Sequence, residues 1–175
     1  MFGAGCPVEE RLPGLPLAAD PVDQQERRAA PPAYVVQCHA VAILPDWEPG
    51  TPGVLCVAGP HAIPVSTALR AADRRLVLAL GSRRDTLARL RSDPAVAFCL
   101  LGAGVAFSAY GRAAVARDEL DAAPHVAAVA IEVERVQDHL AGSRTEVLEG
   151  VRWRWTEEAT RADERGILAE LRELA

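Results

Sequence analysis

The 175-residue chain contains no lysine; all 19 of its basic residues are arginine. That absence removes the lysine Schiff base and the phosphate-loop lysine from the available chemistry. Any anion held by a side-chain cation here is held by a guanidinium, which grips with two parallel hydrogen bonds. Cysteine is scarce as well. Cys6, Cys38, Cys56 and Cys99 form no Cys-x-x-Cys pair, and they read as buried free thiols of a reducing compartment. Cys38 and His39 are neighbours, and neighbours on a strand point to opposite faces, so they make no dyad. The four histidines, His39, His61, His125 and His139, lack metal-ligand spacing, and no metal is expected. No apolar run approaches the roughly 20 residues of a membrane span. The N-terminus "MFGAGCPVEERLPG" has neither the basic start nor the apolar middle of a secretion signal. The net charge of −5 argues against general affinity for nucleic acid. The expectation is a cytoplasmic protein with no nucleic-acid and no membrane partner.

What is present is an ordinary globular balance, half apolar and a quarter charged, enough for one domain and an extension. Nine of the thirteen prolines precede residue 53. We read residues 1–32 as a proline-rich N-terminal extension, and residues 33–175 as the domain. "AYVVQCHAVAIL" is apolar and its type stays open. "GVLCVAG" is a β-type run, and "HAIPVSTAL" a second strand whose Pro64 argues for an edge or a bulge. "RAADR" reads as a loop and "RLVLAL" as a third strand. "AVAFCLLG", "GVAFSAYGRAAVA", "VAAVAIEVERV" and "GVRWRW" follow as strands, with Glu132 and Glu134 on one face of their strand. The tail "TEEATRADERGILAELREL" reads as a helix, with Thr156 as its cap and Ile167, Leu168, Leu171 and Leu174 as its apolar stripe. Many strands with short connections predict a mainly β fold, a small barrel.

One stretch, "LALGSRRDTLARL", stands out. Ser82 is a good N-cap, Asp85 completes a capping-box-like pattern, and Leu87 and Leu90 share a face. "SDP" ends the helix. Arg83 and Arg84 put cations at the helix end that carries partial positive charge, a conflict of about 0.3–1 kcal/mol per charge. Two readings stand. The arginines are solvated beside Asp85, or they belong to a phosphate site together with the free N–H groups and the serine hydroxyl.

The segment "LVLALGSRRDTLARLRSDPAVAFCLL", the following "VAFSAYGRAAV" and the strand "GPHAIPVSTAL" resemble the pyridoxamine 5′-phosphate oxidase-like family of flavin-binding split barrels. The resemblance covers about half the chain. It implies a six-stranded split β-barrel with a short helix after the third strand and a C-terminal helix. It implies a homodimer that binds FMN at the subunit interface, a deazaflavin being the alternative. By the same resemblance Ser82, Arg83 and Arg84 hold the FMN phosphate. Val65, Ser66, Thr67 and Ala68 lie along the ring, and Val77 to Leu80 pass the ribityl side. The oxidase itself carries an arginine and a lysine on the second strand, absent from "PVSTAL". It also carries a glutamine where Ala106 stands, and its C-terminal substrate motif has no counterpart in "GVRWRWTEE". The chain therefore resembles a diverged relative rather than the true oxidase. The activity implied is hydride or electron transfer through flavin N5 with an unidentified small molecule. The alternatives are a non-catalytic carrier of flavin, deazaflavin or haem, and a cofactor-free dimer with an interfacial ion pair at the arginines. No catalytic residue is assigned. His61 reads as a surface or interface histidine before it reads as a proton donor. Ser108 and Tyr110 share a strand face, as do Trp153 and Trp155, which pack on a core or partner or else wall the flavin. Trp47 is ambiguous in the same way.

Overall fold

The computed structural model describes residues 40–41, 43–142 and 144–175. The proline-rich extension, Cys6, Cys38 and His39 lie outside them. Eight strands and two helices follow in order: β1 (Ala40–Val41), β2 (Gly53–Val57), β3 (His61–Val65), β4 (Leu69–Ala72), β5 (Arg75–Gly81), α1 (Asp85–Ser92), β6 (Ala95–Gly102), β7 (Val105–Arg117), β8 (Val126–Asp138) and α2 (Glu158–Glu173). The strands pair in the order β3-β2-β6-β7-β8-β5-β4, with β1 also on β8, and every pairing is antiparallel. No helix among the described residues is long and apolar enough to cross a membrane.

Chain connectivity forces this sheet to roll. Its outer members β3 and β4 are consecutive, and only residues 66–68 join Val65 to Leu69. Four Cα steps reach at most about 14 Å, whereas seven flat strands would hold their edges roughly 29 Å apart. The side of the sheet that faces inward carries the main core. Leu55 and Val57, Leu76, Leu78 and Leu80, Phe98 and Leu100, Phe107 and Ala109, and Val129 and Ile131 meet there. Trp47 packs on the rings of Phe98 and Phe107, with centroids 6.3 and 5.3 Å away. Leu87 and Leu90 of α1 join the same core.

A second, smaller core lies on the outer face of β5 and β8, where Val77, Ala128 and Ala130 meet Ile167 and Leu171 of α2. Being covered on both faces explains why "RLVLAL" and "VAAVAI" are nearly continuous apolar runs rather than alternating ones. Glu170 anchors α2 to the turn before β8. Its carboxylate accepts hydrogen bonds from the backbone N–H groups of Asp121 and Ala122 and from Arg117 Nη1 at 3.1 Å. Gly166 lets the helix approach closely, since a Cβ there would lie 2.6 Å from Ala122 Cβ. At the bulge between Tyr110 and Gly111, a Cβ on Gly111 would collide with the Glu132 carbonyl of β8. That clash fixes glycine at the point where β7 bends.

Several expectations are corrected. The sheet has eight strands among the described residues rather than six. "HAIPVSTAL" is not one strand: Ser66–Ala68 breaks it, and "RAADR", read as loop, supplies most of β4. "GVRWRW" is irregular chain unpaired with the sheet. Its alternation does bring Trp153 and Trp155 together, edge to face at 4.9 Å, but a strand also needs an open partner edge. Ser82 does not cap α1. Arg84 is the N-cap residue, without a side-chain cap bond, and Ser82 Oγ donates to His125 O at 3.0 Å. An added turn closed by Arg84 N–H on Gly81 O moves the helix start past the serine. Likewise Glu157, not Thr156, precedes α2. Cys56 and Cys99 are free but only half-buried. In the apolar segment of open type, the described part that pairs is β1.

Candidate functional site

A cleft of about 320 Å³ opens where the end of β3, the end of β5 and the turn before α1 face the Trp153–Trp155 segment and the first turns of α2. Its floor comes from Ile63, Val65, Ala79 and Leu80, and its far wall from Trp153, Trp155 and Ile167. Arg84 borders it from the α1 side; Thr160, Asp163 and Glu164 border it from α2.

Short polar side chains build the seam between these elements. Thr67 Oγ1 accepts the Ala79 N–H at 3.0 Å, which ties the bend after β3 to β5. Ser66, buried, donates from Oγ to Glu164 Oε1 at 3.2 Å, joining the same bend to α2. Ala68 is fully buried, and its carbonyl accepts from Trp47 Nε1 at 3.3 Å. The break in the second strand is thus where three elements converge on one cleft.

The nine expected cofactor residues divide accordingly. Val65, Ser66, Thr67, Leu80 and Arg84 line the cleft. Ala68 lies behind the seam, and Val77 is buried under α2 in the outer core. Ser82 is exposed and engaged with His125, while Arg83 is exposed and outside the cleft. Among the described residues neither Arg83 nor Arg84 forms an ion pair. Asp85, read from the sequence as their neighbouring counter-charge, pairs with Arg89 at 2.7 Å instead.

These residues fit an FMN-like group in kind. Arg84 is an unpaired cation beside a helix start, the position that suits a phosphate. Apolar and aromatic walls suit a flat ring. Trp155 borders the same space, while its Nε1 is buried without an acceptor among the described residues. Asp163 and Glu164 would repel a phosphate, so the phosphate end belongs with Arg84 and not with α2.

Other candidates are occupied elsewhere. His61 Nε2 and Thr86 Oγ1 share a hydrogen bond of 2.8 Å, tying β3 to α1. Ser108 Oγ and His139 Nε2 lie 2.9 Å apart, and the Arg135 guanidinium stacks 3.9 Å above the Tyr110 ring. All three contacts lie away from the cleft. Thr160, Asp163 and Glu164 were not singled out in the sequence. Their spacing before Ile167 places them on the core-facing side of a helix, a signal that was available. A more open groove of about 640 Å³ runs between residues 46–51, the β6–β7 turn and residues 150–152; Trp47 lines it, but none of the nine expected cofactor residues does.

No family model matches the sequence, and no curated protein does. Solved structures do. A provisionally named pyridoxamine 5′-phosphate oxidase from Listeria innocua is 20% identical over 51% of this chain and 88% of its own, with a TM-score of 0.43. HupZ of Group A Streptococcus is 10% identical over 58% and 90%, with a TM-score of 0.45. General Stress Protein 26 of Bacillus anthracis is 15% identical over 59% and 90%, with a TM-score of 0.42. The solved structures to which this chain is similar thus include proteins named for the family that its sequence resembles.

Proposed function

We propose that the chain is an FMN-binding oxidoreductase of the pyridoxamine 5′-phosphate oxidase-like, split-barrel type, acting in the cytoplasm as a homodimer on a small molecule. The observation that carries the reading is Arg84: an unpaired guanidinium at the start of α1, on the rim of a cleft lined by Val65, Thr67 and Leu80. In this reading Arg84 and the first N–H groups of α1 hold the phosphate. The ends of β3 and β5 support the ring side, and Trp153 with Trp155 keeps water from it. When bound, FMN supplies hydride or electron transfer through its N5. A deazaflavin presents the same phosphate and a similar ring and is accommodated by the same residues. The chain contributes position and electrostatics, and no side chain is assigned a proton-transfer role.

The test is titration of the purified protein with FMN. A flavin-specific shift in the visible spectrum and a raised melting temperature are expected, and the absence of both overturns the reading. A second reading, a carrier of flavin, deazaflavin or haem without turnover, draws support from the engagement of His61 with Thr86, which occupies the one histidine considered as a proton donor. Flavin reduction by a reduced nicotinamide followed by turnover on an acceptor would exclude it.

A further inference from the structure

The α2 side of the cleft has a chemistry that a phosphate and a flavin ring leave unused. Two carboxylates, Asp163 and Glu164, face one guanidinium, Arg84, so the lining carries a net negative charge. Neither carboxylate is within ion-pair distance of an arginine among the described residues. Among the described residues Glu164 has only the Ser66 hydroxyl as a partner. Beside them Trp153 and Trp155 meet at 67°, edge to face, with centroids 4.9 Å apart. Both indoles line the cleft, Trp153 with 47% of its surface exposed, and an indole face is the strongest side-chain attractor of an organic cation.

We propose that Trp153, Trp155, Asp163 and Glu164 form a binding site for a small alkylated ammonium ion, a choline-like cation. The indole faces contact the alkyl groups, which spread the positive charge over a surface without N–H donors. The carboxylates neutralise the charge without the need for a donor on the ligand. An inorganic cation matches this lining poorly, because the aromatic walls offer no oxygen ligands. A primary ammonium would keep its hydration more strongly than a quaternary one and gain less from the indoles. The inference deepens the proposed function by naming a substrate class for the same cleft, and it rests on that reading only in this respect.

The experiment is calorimetric titration of the full chain with choline chloride at constant ionic strength, alongside 3,3-dimethylbutan-1-ol, its uncharged isostere. Saturable choline binding is expected, at least about tenfold tighter than the alcohol. Asp163→Asn with Glu164→Gln, each preserving shape, should weaken choline about tenfold or more. Trp155→Leu should weaken choline and tetramethylammonium alike, by about three- to tenfold. No saturable binding of choline, or equal binding of the alcohol, overturns the proposal. FMN titration of the same samples separates the two readings. Choline binding without an FMN response removes the flavin reading alone, and an FMN response without choline binding removes this inference alone.

Discussion

Arg83 and Arg84 look equivalent in the sequence, but the fold treats them differently. Arg84 sits at the N-cap in extended backbone, φ −78° and ψ 140°, and its side chain covers Gly81 and borders the cleft. Arg83 is exposed and does not line that space. A charge-assisted hydrogen bond contributes about 1.5–3 kcal/mol, which is roughly ten- to more than hundredfold in affinity. We therefore expect Arg84→Ala to lower FMN affinity by that factor, and Arg83→Ala to lower it by less than about threefold. Quenching of flavin fluorescence measures both, and equal losses would place the phosphate outside the cleft. The dipole conflict at this helix start was legible from residue types alone. Which arginine bears on a ligand was not, because that depends on the turn that Arg84 N–H closes on Gly81 O.

At the scale of elements, the apolar runs were readable: β5, β6, β7 and β8 follow their apolar stretches, and α2 follows its periodic stripe. What hid was decided by tertiary contact. The break at Ser66–Ala68 depends on Thr67 bonding across to Ala79, a partner 12 residues away that no local pattern announces. The tryptophan strand failed for the converse reason, since alternation was present and a pairing edge was not. The attachment of α2 was equally invisible. Hydrogen bonds from Ala122 N–H, opposed by partial burial and helped by Asp121 N–H and Arg117, hold the Glu170 carboxyl below its ordinary value of 4.5. A depressed carboxyl stabilises the folded state fully above its unfolded value, and that contribution fades as pH falls through the folded value. The helix should therefore loosen from β5 and β8 below about pH 4.5, earlier than the rest of the sheet. Amide exchange of α2 followed across acid pH checks this. In Glu170→Gln the helix should exchange faster at neutral pH and lose this acid dependence; an unchanged acid response would place the titration elsewhere.

At the scale of the whole molecule, the rolled sheet has an inner core and an outer face covered unevenly. α2 buries the outer side of β5 and β8. The outward residues of β2 and β6 are apolar. Val54 is opposite Pro64 on β3 and Cys99 on β6, and Leu101 is opposite Ala106. Val54 and Leu101 are 41% and 51% exposed. A sheet face with adjoining apolar side chains is the kind of surface that a partner covers. In a homodimer with twofold symmetry each such residue would be buried twice. Half of a Val or Leu side chain newly buried contributes about 1 kcal/mol, so two residues on each of two protomers supply about 4 kcal/mol. Replacing both by aspartate removes that term and adds the cost of burying charge. We expect the wild-type chain to sediment as a dimer at micromolar concentration. Val54→Asp with Leu101→Asp should raise the dissociation constant by at least about hundredfold. Because these positions are already half-exposed, the variant should remain folded, which circular dichroism verifies alongside sedimentation. A wild-type monomer would overturn the dimer. A variant that stays dimeric would move the interface to another face, and with it any part of the cofactor site that the second copy supplies.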